Sequence, residues 1–306
     1  MGGKAIVNAQ RMSRKEYNDI CNHLLLLDNT MMITYSLDTK ESYGDVDVVV
    51  IQPIFQKIES ISQTVKNGNI TSIGLMRNDK VYQIDFTVAA SKEQQVFLHT
   101  YLSYGIFGMC IGIALNKLNL QYGSHGLKFI FQIDKTKHYL LCSTSAHDLF
   151  EFLELDFERF QQGFRDHNAL FDYMFQSPFI SYESLHKKIN MPKESNSKLD
   201  VLKEYVPNDS VIRCQSQLYS LEEAKEKTLV FFKKNTKYEE LVKCIQRKKE
   251  IDAKFNGSIV LETLEHEIQG KEVGAFLETF RSLHDIENMT SEDIRDAIKA
   301  LYITKN

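Results

Sequence analysis

Tryptophan is absent from the 306-residue chain, and proline occurs only four times. So few prolines exclude a proline-rich linker or an extended stalk. The five cysteines are odd in number and widely scattered, without the spacings of a zinc site or a disulfide framework. We therefore expect buried free thiols in a reducing compartment.

Long hydrophobic runs are also missing. The longest apolar stretch, Ile106 to Leu115, is too short and too rich in glycine to span a bilayer. Residues 1–20 lack the apolar segment of a signal peptide, and Ile6 stands where N-myristoylation requires Ser or Thr. These absences predict a cytoplasmic protein without a membrane partner.

Neither sign of charge is in large excess. The 37 Lys and Arg residues against 41 Asp and Glu residues exclude a strongly basic coat for nucleic acid. A polyanion would have to bind a local patch, and residues 224–254 hold ten Lys or Arg residues against five acidic ones. We predict RNA binding there, although a solvated helix face with paired charges is an equally good interpretation.

The first 90 residues combine helix and strand patterns. Ser13 and Glu16 form a capping-box sequence before a helical repeat of apolar residues. A second helix is predicted from Pro53, carrying Ile54, Ile58 and Ile61. Strands are predicted at 31–36, 45–51, 70–76 and 81–89. This alternation indicates an α/β unit with a mixed sheet.

The remainder becomes increasingly helical. Residues 92–118 predict one helix, in which Tyr104 and Phe107 are more typical of core than of base stacking, as is Tyr122 beyond it. A strand pair follows at 128–133 and 139–142. Helical spacing then recurs at 146–155, 157–163, 167–176, 221–234, 237–252, 271–283 and 290–302. An exposed loop is predicted at 192–200. The change in composition near residue 145 predicts domains at 1–144 and 145–306.

Three aspartates are the best candidates for chemistry. Asp45 and Asp47 begin a predicted strand, where side chains two residues apart point the same way. Asp85 lies in an apolar strand that could pair beside the first one. Three converging carboxylates would repel one another without a cation, and such oxygen-rich sites suit Mg²⁺ or Mn²⁺. An Asp-x-Asp pair by itself more often only opens a strand.

These residues resemble the nucleotidyltransferase superfamily typified by DNA polymerase beta. The resemblance covers about residues 13–90 and rests on Ser36, the run Gly44-Asp45-Val46-Asp47, and Asp85 in its hydrophobic strand. More loosely, the whole chain is similar to nucleotidyltransferases of large DNA viruses and phages, which often begin Met-Gly-Gly. The resemblance implies an α+β fold, with an N-terminal palm of mixed β-sheet flanked by helices and a mainly α-helical C-terminal domain.

The resemblance also implies a reaction. A nucleoside monophosphate would move from a nucleoside triphosphate such as ATP to a hydroxyl group, releasing pyrophosphate. The preferred acceptor is an RNA 3′ end, a tRNA-like end included. Asp45 and Asp47 would hold two metal ions, and Asp85 would bind the catalytic one and orient or deprotonate the acceptor hydroxyl.

The phosphate-binding residues implied by the resemblance differ partly from the family pattern. Ser36 and Gly44 would border the triphosphate, and Lys40 would contact a phosphate or remain a solvated lysine. The family's Gly-Ser is Tyr35-Ser36 here, so the hydroxyl is kept and the glycine is lost. Two alternatives stay open: nucleotidylation of a protein or small molecule and, because of Tyr35, a non-catalytic nucleotide- or RNA-binding protein with a decayed palm.

Overall fold

The computed structural model describes residues 5–52, 55–189 and 200–305. Over these residues the chain is mixed α/β and forms two compact units, Met1–Lys234 and Asn235–Asn306. No single described helix is long and apolar enough to cross a membrane. Two consecutive helices, Lys92–Leu102 and Phe107–Asn116, meet that test only when they are taken together, and they are bent by 92° at their break.

The strands of the first unit form three sheets within the described residues. Their bounds are β1 (Met12–Ser13), β2 (Met32–Ile33), β3 (Ser42–Tyr43), β4 (Asp45–Val50), β5 (Ile61–Asn67), β6 (Ile70–Arg77), β7 (Lys80–Val88), β8 (Leu120–Gly123), β9 (Gly126–Ile133) and β10 (Thr136–Ser143). Strands β1 and β3 pair with each other, β8 to β10 form a three-stranded sheet, and the remaining five strands form the central sheet.

The central sheet has the strand order β2-β4-β7-β6-β5. Strands β4 and β7 are parallel, and the other neighbouring pairs are antiparallel. Val46 and Val48 of β4 pack in the same buried cluster as Ile84 and Phe86 of β7. Burial of these branched and aromatic side chains stabilises the sheet, and the predicted pairing of the two aspartate-bearing strands is confirmed.

The helix α1 (Arg14–Leu27) begins as its sequence predicts. The Ser13 N–H donates to Glu16 Oε2 at 2.8 Å, and the Glu16 N–H donates to Ser13 Oγ at 3.3 Å, which completes the capping box. Tyr17, Ile20 and their helical neighbours are buried in the cluster beneath the central sheet. The capping box gives the N–H groups of Ser13 and Glu16 acceptors at the start of the helix, where N–H groups have no partner within the helix.

The helix predicted from Pro53 is wrong. Pro53 and Ile54 lie outside the described residues, and only a short 3₁₀ turn is present at Phe55–Lys57. Ile61 instead begins β5, where it pairs with Leu75 of β6. The alternating exposure along β5 has the period of a strand, so the apolar spacing was misleading there.

The single helix predicted over 92–118 is also wrong in one respect. The structure has two helices, α2 (Lys92–Leu102) and α3 (Phe107–Asn116). Between them, Tyr104 and Gly105 adopt left-handed φ angles of 58° and 66°. This conformation cannot continue an α-helix, so the chain turns sharply here.

The second sheet and the later helices largely follow the sequence patterns. The predicted strand pair is confirmed as β9 and β10, whereas no strand was predicted for β8. The later helices are α4 (Ala146–Phe152), α5 (Phe157–Gln161), α6 (His167–Met174), α7 (Tyr182–Ile189), α8 (Asp209–Gln215), α9 (Leu221–Phe231), α10 (Asn235–Lys254), α11 (Gly257–Thr263), α12 (Lys271–Leu283) and α13 (Ser291–Lys305). All seven predicted helical segments contain a helix, and α7, α8 and α11 were not predicted. Most of the loop predicted at 192–200 lies outside the described residues.

The compact units do not divide where the composition changes. Helices α4 and α5 pack on α3 within the first unit. The centroid of the Phe107 ring lies 5.8 Å from that of Phe150 and 4.8 Å from that of Phe160. The second unit has its own buried core, to which Phe255 and Phe280 contribute a stacked ring pair 4.4 Å apart. Aromatic packing across residue 145 therefore joins 145–234 to the first unit.

Candidate metal centre

Three carboxylates meet on neighbouring strands of the central sheet. The parallel register places Asp47 directly opposite Asp85 and Asp45 opposite Gln83. One carboxylate oxygen from each of Asp45, Asp47 and Asp85 lies within 4.8 Å of the other two, and all three residues are half-buried. The structure thus brings together the three aspartates that the sequence singles out.

The electrostatics of this cluster favour a bound cation. Burial raises the pKa of Asp85, hydrogen bonds from Ser72 and Gln83 oppose the rise, and the charge of Asp45 adds to it. Ionising all three groups together is costly because like charges in a half-buried site repel. Carboxylate oxygens at this spacing are a donor set that suits Mg²⁺ or Mn²⁺, so the residues fit the metal that the resemblance implies.

The carboxylates line a cavity of about 760 Å³ in the first unit. The segments that line it include residues 34–47, the break between α2 and α3, the start of α6, and the 3₁₀ turn at Asp200–Glu204. Its lining residues outside the carboxylate cluster include Arg11, Tyr17, Tyr35, Ser36, Lys40, Gly44, Tyr101, Tyr104, Gly105, Met109, His167 and Val201. The volume is typical of a small-molecule site.

Ser36, Lys40 and Gly44 all line this cavity, on a loop that folds around Tyr43. The Tyr43 hydroxyl lies 3.4 Å from Ser36 Oγ and donates to the Lys40 carbonyl oxygen at 2.9 Å. The Lys40 ammonium lies 4.5 Å from the centroid of the Tyr43 ring, which stacks on Tyr17 at 3.9 Å. A buried tyrosine therefore holds the three candidate phosphate-binding positions in one folded loop.

The same loop is tied to other elements through its backbone. The N–H groups of Asp38 and Thr39 donate to the carbonyl oxygens of residues 164–165 at 3.1 and 2.9 Å. The Arg14 guanidinium donates to the Lys40 carbonyl oxygen at 2.7 Å and to that of Asp38. Hydrogen bonds to α1 and to residues 164–165 therefore fix the loop's position.

Tyr35 stands where the resembled superfamily has glycine, and both its N–H and its carbonyl oxygen are hydrogen-bonded. Its N–H donates to Ser103 Oγ at 3.1 Å, and its carbonyl oxygen accepts from the Tyr104 N–H at 2.7 Å. Its ring lies 4.6 Å from that of His99 and 6.1 Å from that of Phe160. The larger side chain is thus accommodated by an aromatic cluster, and it joins the cavity wall to the break between α2 and α3.

Several cavity residues have no motif in the sequence. Arg11 precedes the capping box, Tyr101 and Met109 flank an unpredicted break, and His167 begins α6. Burial lowers the pKa of His167, against the effect of the neighbouring Asp166. Gly105, which lies within the predicted helix and has a positive φ in the structure, is a sequence signal for the break.

The aromatic residues first considered for base stacking behave as core residues. Phe107 is fully buried, Tyr122 is 5% exposed, and neither lines the cavity. Tyr104 is also 5% exposed, and its hydroxyl donates to the Phe160 carbonyl oxygen at 2.7 Å, although it does border the cavity. Their assignment to the core is confirmed.

The basic stretch 224–254 is divided between the two units. Its first part includes α9 of the first unit, where the Lys227 ammonium lies 4.3 Å from the centroid of the Tyr219 ring. Its second part is α10 of the second unit, where Arg247 pairs with Glu287. Some of its charges are therefore paired, and RNA binding by this stretch stays a prediction.

No protein-family model matches the chain, and no curated protein matches it. The carboxylates and the cavity that they line are therefore the features that indicate a function.

Proposed function

We propose that this chain is a metal-dependent nucleotidyltransferase that moves a nucleoside monophosphate from a nucleoside triphosphate to a hydroxyl group and releases pyrophosphate. One observation carries the proposal. The carboxylates of Asp45, Asp47 and Asp85 converge from two parallel neighbouring strands at the wall of a cavity of about 760 Å³. This sheet and its helices would be the palm, at the start of the first unit.

The carboxylates have distinct roles in this proposal. Asp45 and Asp47 would hold two divalent ions, and Asp85 would hold one of them. When bound, Mg²⁺ or Mn²⁺ would supply Lewis acidity to the phosphate oxygens and lower the pKa of the acceptor hydroxyl. Asp85 would also orient that hydroxyl and accept its proton.

The loop at 36–44 supports triphosphate binding. The Ser36 hydroxyl, the Lys40 ammonium and the backbone at Gly44 border the same cavity as the carboxylates. Arg11, which also lines it, adds a second cationic side chain, and a guanidinium suits a phosphate group. Tyr17, Tyr35 and Tyr101, which also line the cavity, would then be left for the sugar and base.

An RNA 3′ end is the acceptor that we favour, because the basic stretch 224–254 supplies a local excess of positive charge. A protein or small-molecule acceptor is the alternative within the same reaction class. Tyr35 in place of the family's glycine motivates the third possibility, nucleotide binding without transfer.

Label transfer separates these possibilities. The protein is incubated with each α-labelled triphosphate, with Mg²⁺ or Mn²⁺, and with total RNA or a protein extract. We expect label on RNA 3′ ends, because the carboxylates share a cavity with the loop at 36–44 and the basic stretch 224–254 would attract RNA. Label on protein or on a small molecule would support the second acceptor class. Triphosphate binding without any label would favour the non-catalytic interpretation.

Single carboxylate-to-amide changes test the site itself. Asp47→Asn and Asp85→Asn should each lower transfer by roughly 10²-fold or more, because losing a metal ligand costs at least as much as losing one of its outer partners. Asp79→Asn is the matched control: Asp79 is an exposed turn residue with a φ of 57°, which Asn tolerates. Asp79 precedes Asp85 by six residues, and six residues of extended chain span about 20 Å, so its carboxyl group is far from the cluster. Transfer that survives both changes at the cluster would exclude this site.

A further inference from the structure

Gln83 is a buried side chain that lies between the carboxylate cluster and the start of the described chain. It is 1% exposed and two residues before Asp85 on β7, so both side chains are on the same face of the sheet. Its Nε2 donates to Asp85 Oδ1 at 2.9 Å and to Oδ2 at 3.0 Å. Its Oε1 accepts from the backbone N–H groups of Ala5 at 3.0 Å and Ile6 at 3.1 Å.

These bonds decide which end of the Gln83 amide faces Asp85. A side-chain amide can present either its oxygen or its nitrogen to a neighbour. Backbone N–H groups need an acceptor, so Ala5 and Ile6 hold Oε1 on their side and leave Nε2 to donate to Asp85. The opposite orientation would place an oxygen against the carboxylate and leave the N–H groups of Ala5 and Ile6 without this acceptor, so both sets of bonds favour the observed one.

The segment that supplies these donors is held by further contacts. The Gln10 N–H donates to the Val81 carbonyl oxygen at 2.8 Å, and the Val7 N–H donates to Gln63 Oε1 at 2.9 Å. The Ile6 side chain is 3% exposed. Residues 5–10 are therefore tied by hydrogen bonds to β5 and β7.

We propose that Gln83 is a positioning residue of the metal site, and that through it the order of residues 5–6 is coupled to metal binding. The inference rests on the proposed function, since it requires that the three aspartates bind a divalent ion. By holding both oxygens of Asp85, Gln83 restricts the rotation of that carboxylate before the ion arrives. Outer partners of this kind fix the orientation of metal ligands.

The coupling is reciprocal. If ordered residues 5–6 favour the orientation of Asp85 that binds the ion, then the bound ion favours ordered residues 5–6 by the same factor. Metal should therefore slow hydrogen exchange at the amides of Ala5 and Ile6. A side chain with a purely structural role would leave their exchange independent of metal.

Two matched variants test the proposal by Mn²⁺ titration. Gln83→Met keeps the length of the side chain and removes both sets of hydrogen bonds, and we expect Mn²⁺ affinity to fall by about tenfold. Gln63→Met removes only the acceptor for Val7, outside the cavity, and should change Mn²⁺ affinity by less than about twofold. Hydrogen exchange of the unmodified protein with and without Mg²⁺ supplies a test that needs no substitution.

The outcomes separate this inference from the proposed function. Three results together support the coupling. Asp85→Asn weakens Mn²⁺ binding, Gln83→Met lowers Mn²⁺ affinity while Gln63→Met does not, and metal slows hydrogen exchange at residues 5–6. If Asp85→Asn weakens Mn²⁺ binding but Gln83→Met binds Mn²⁺ as tightly as the unmodified protein, only the coupling is overturned. The same holds if metal does not change hydrogen exchange at residues 5–6. Failure of the unmodified protein to bind Mn²⁺ more tightly than Asp85→Asn overturns the metal site, and the coupling with it.

Discussion

His99 shows how burial controls the ionisation of a single residue beside the cavity. The ring is 4% exposed, its Nε2 lies 2.8 Å from the Ile33 carbonyl oxygen, and the Tyr35 ring packs against it. Burial lowers the pKa of His99, and the nearby Lys92 acts in the same direction, whereas the bond to Ile33 opposes the shift. The neutral ring is therefore the form that the fold accommodates.

This shift predicts a pH dependence of stability. The unfolded chain binds a proton at His99 near its ordinary pKa of 6.5, and the folded chain binds it only at lower pH. The free energy of unfolding should therefore fall as the pH drops below about 6.5, because the unfolded state takes up more protons. Denaturant unfolding at a series of pH values should show a smaller fall for His99→Gln, whose amide can still donate to Ile33. Equal slopes for the two proteins would contradict this origin.

At the scale of elements, the break between α2 and α3 places several cavity residues. After the break, α3 approaches the end of α2 so closely that a Cβ on Gly108 would lie 2.3 Å from the Tyr101 carbonyl oxygen. No Cβ atom tolerates that distance to backbone, so only glycine permits this approach. Tyr101 lines the cavity, and the close contact therefore shapes its wall.

The prediction for this element is a contrast between two helical glycines. Gly108→Ala should destabilise the protein by about 1–3 kcal/mol, since the added methyl group must displace the backbone of Tyr101. Gly274→Ala on α12, where a Cβ would meet nothing within 4 Å, should stabilise its helix by about 0.5–1 kcal/mol. Thermal unfolding of both variants measures the two effects. A neutral result for Gly108→Ala would show that the two helices can separate without cost.

At the scale of the whole molecule, the chain has two compact units that divide after Lys234. The first unit continues past residue 145, because Phe150 and Phe160 pack on Phe107. The second has a core built from its own helices, with Phe255 and Phe280 fully buried. Each unit therefore buries its own apolar side chains, which is the condition for independent folding.

Fragments test this division. A chain of residues 1–234 should unfold cooperatively, and residues 235–306 should be helical by themselves with a lower melting temperature, because a small domain buries a smaller fraction of its surface. A chain of residues 1–144 should bind a hydrophobic dye and lose cooperativity, since Phe107 would be uncovered. Circular dichroism and dye fluorescence measure these properties. Cooperative melting of 1–144 at the midpoint of 1–234 would instead favour the boundary suggested by composition.

Local patterns predicted much of the fold. Ser13 and Glu16 specified the start of α1, and Asp45 to Val50 specified a buried strand, because caps and strand periodicity are set by neighbours in the chain. The same reasoning failed at Ile61. Its apolar spacing predicted a helix, but the residue begins β5 and pairs with β6. It also missed the break at Tyr104, whose left-handed backbone is held by the carbonyl oxygen of Tyr35.

The sequence by itself determined the candidate chemistry. Asp45, Asp47 and Asp85 stand out as acidic residues in apolar strands, and Asp45 and Asp47 are two residues apart, which places them on one face of a strand. Only the tertiary structure decided their distances, the bond from Gln83, and the loop folded on Tyr43. Those features join residues that are distant in the chain. No local periodicity encodes them, since strand pairing and side-chain packing settle them together.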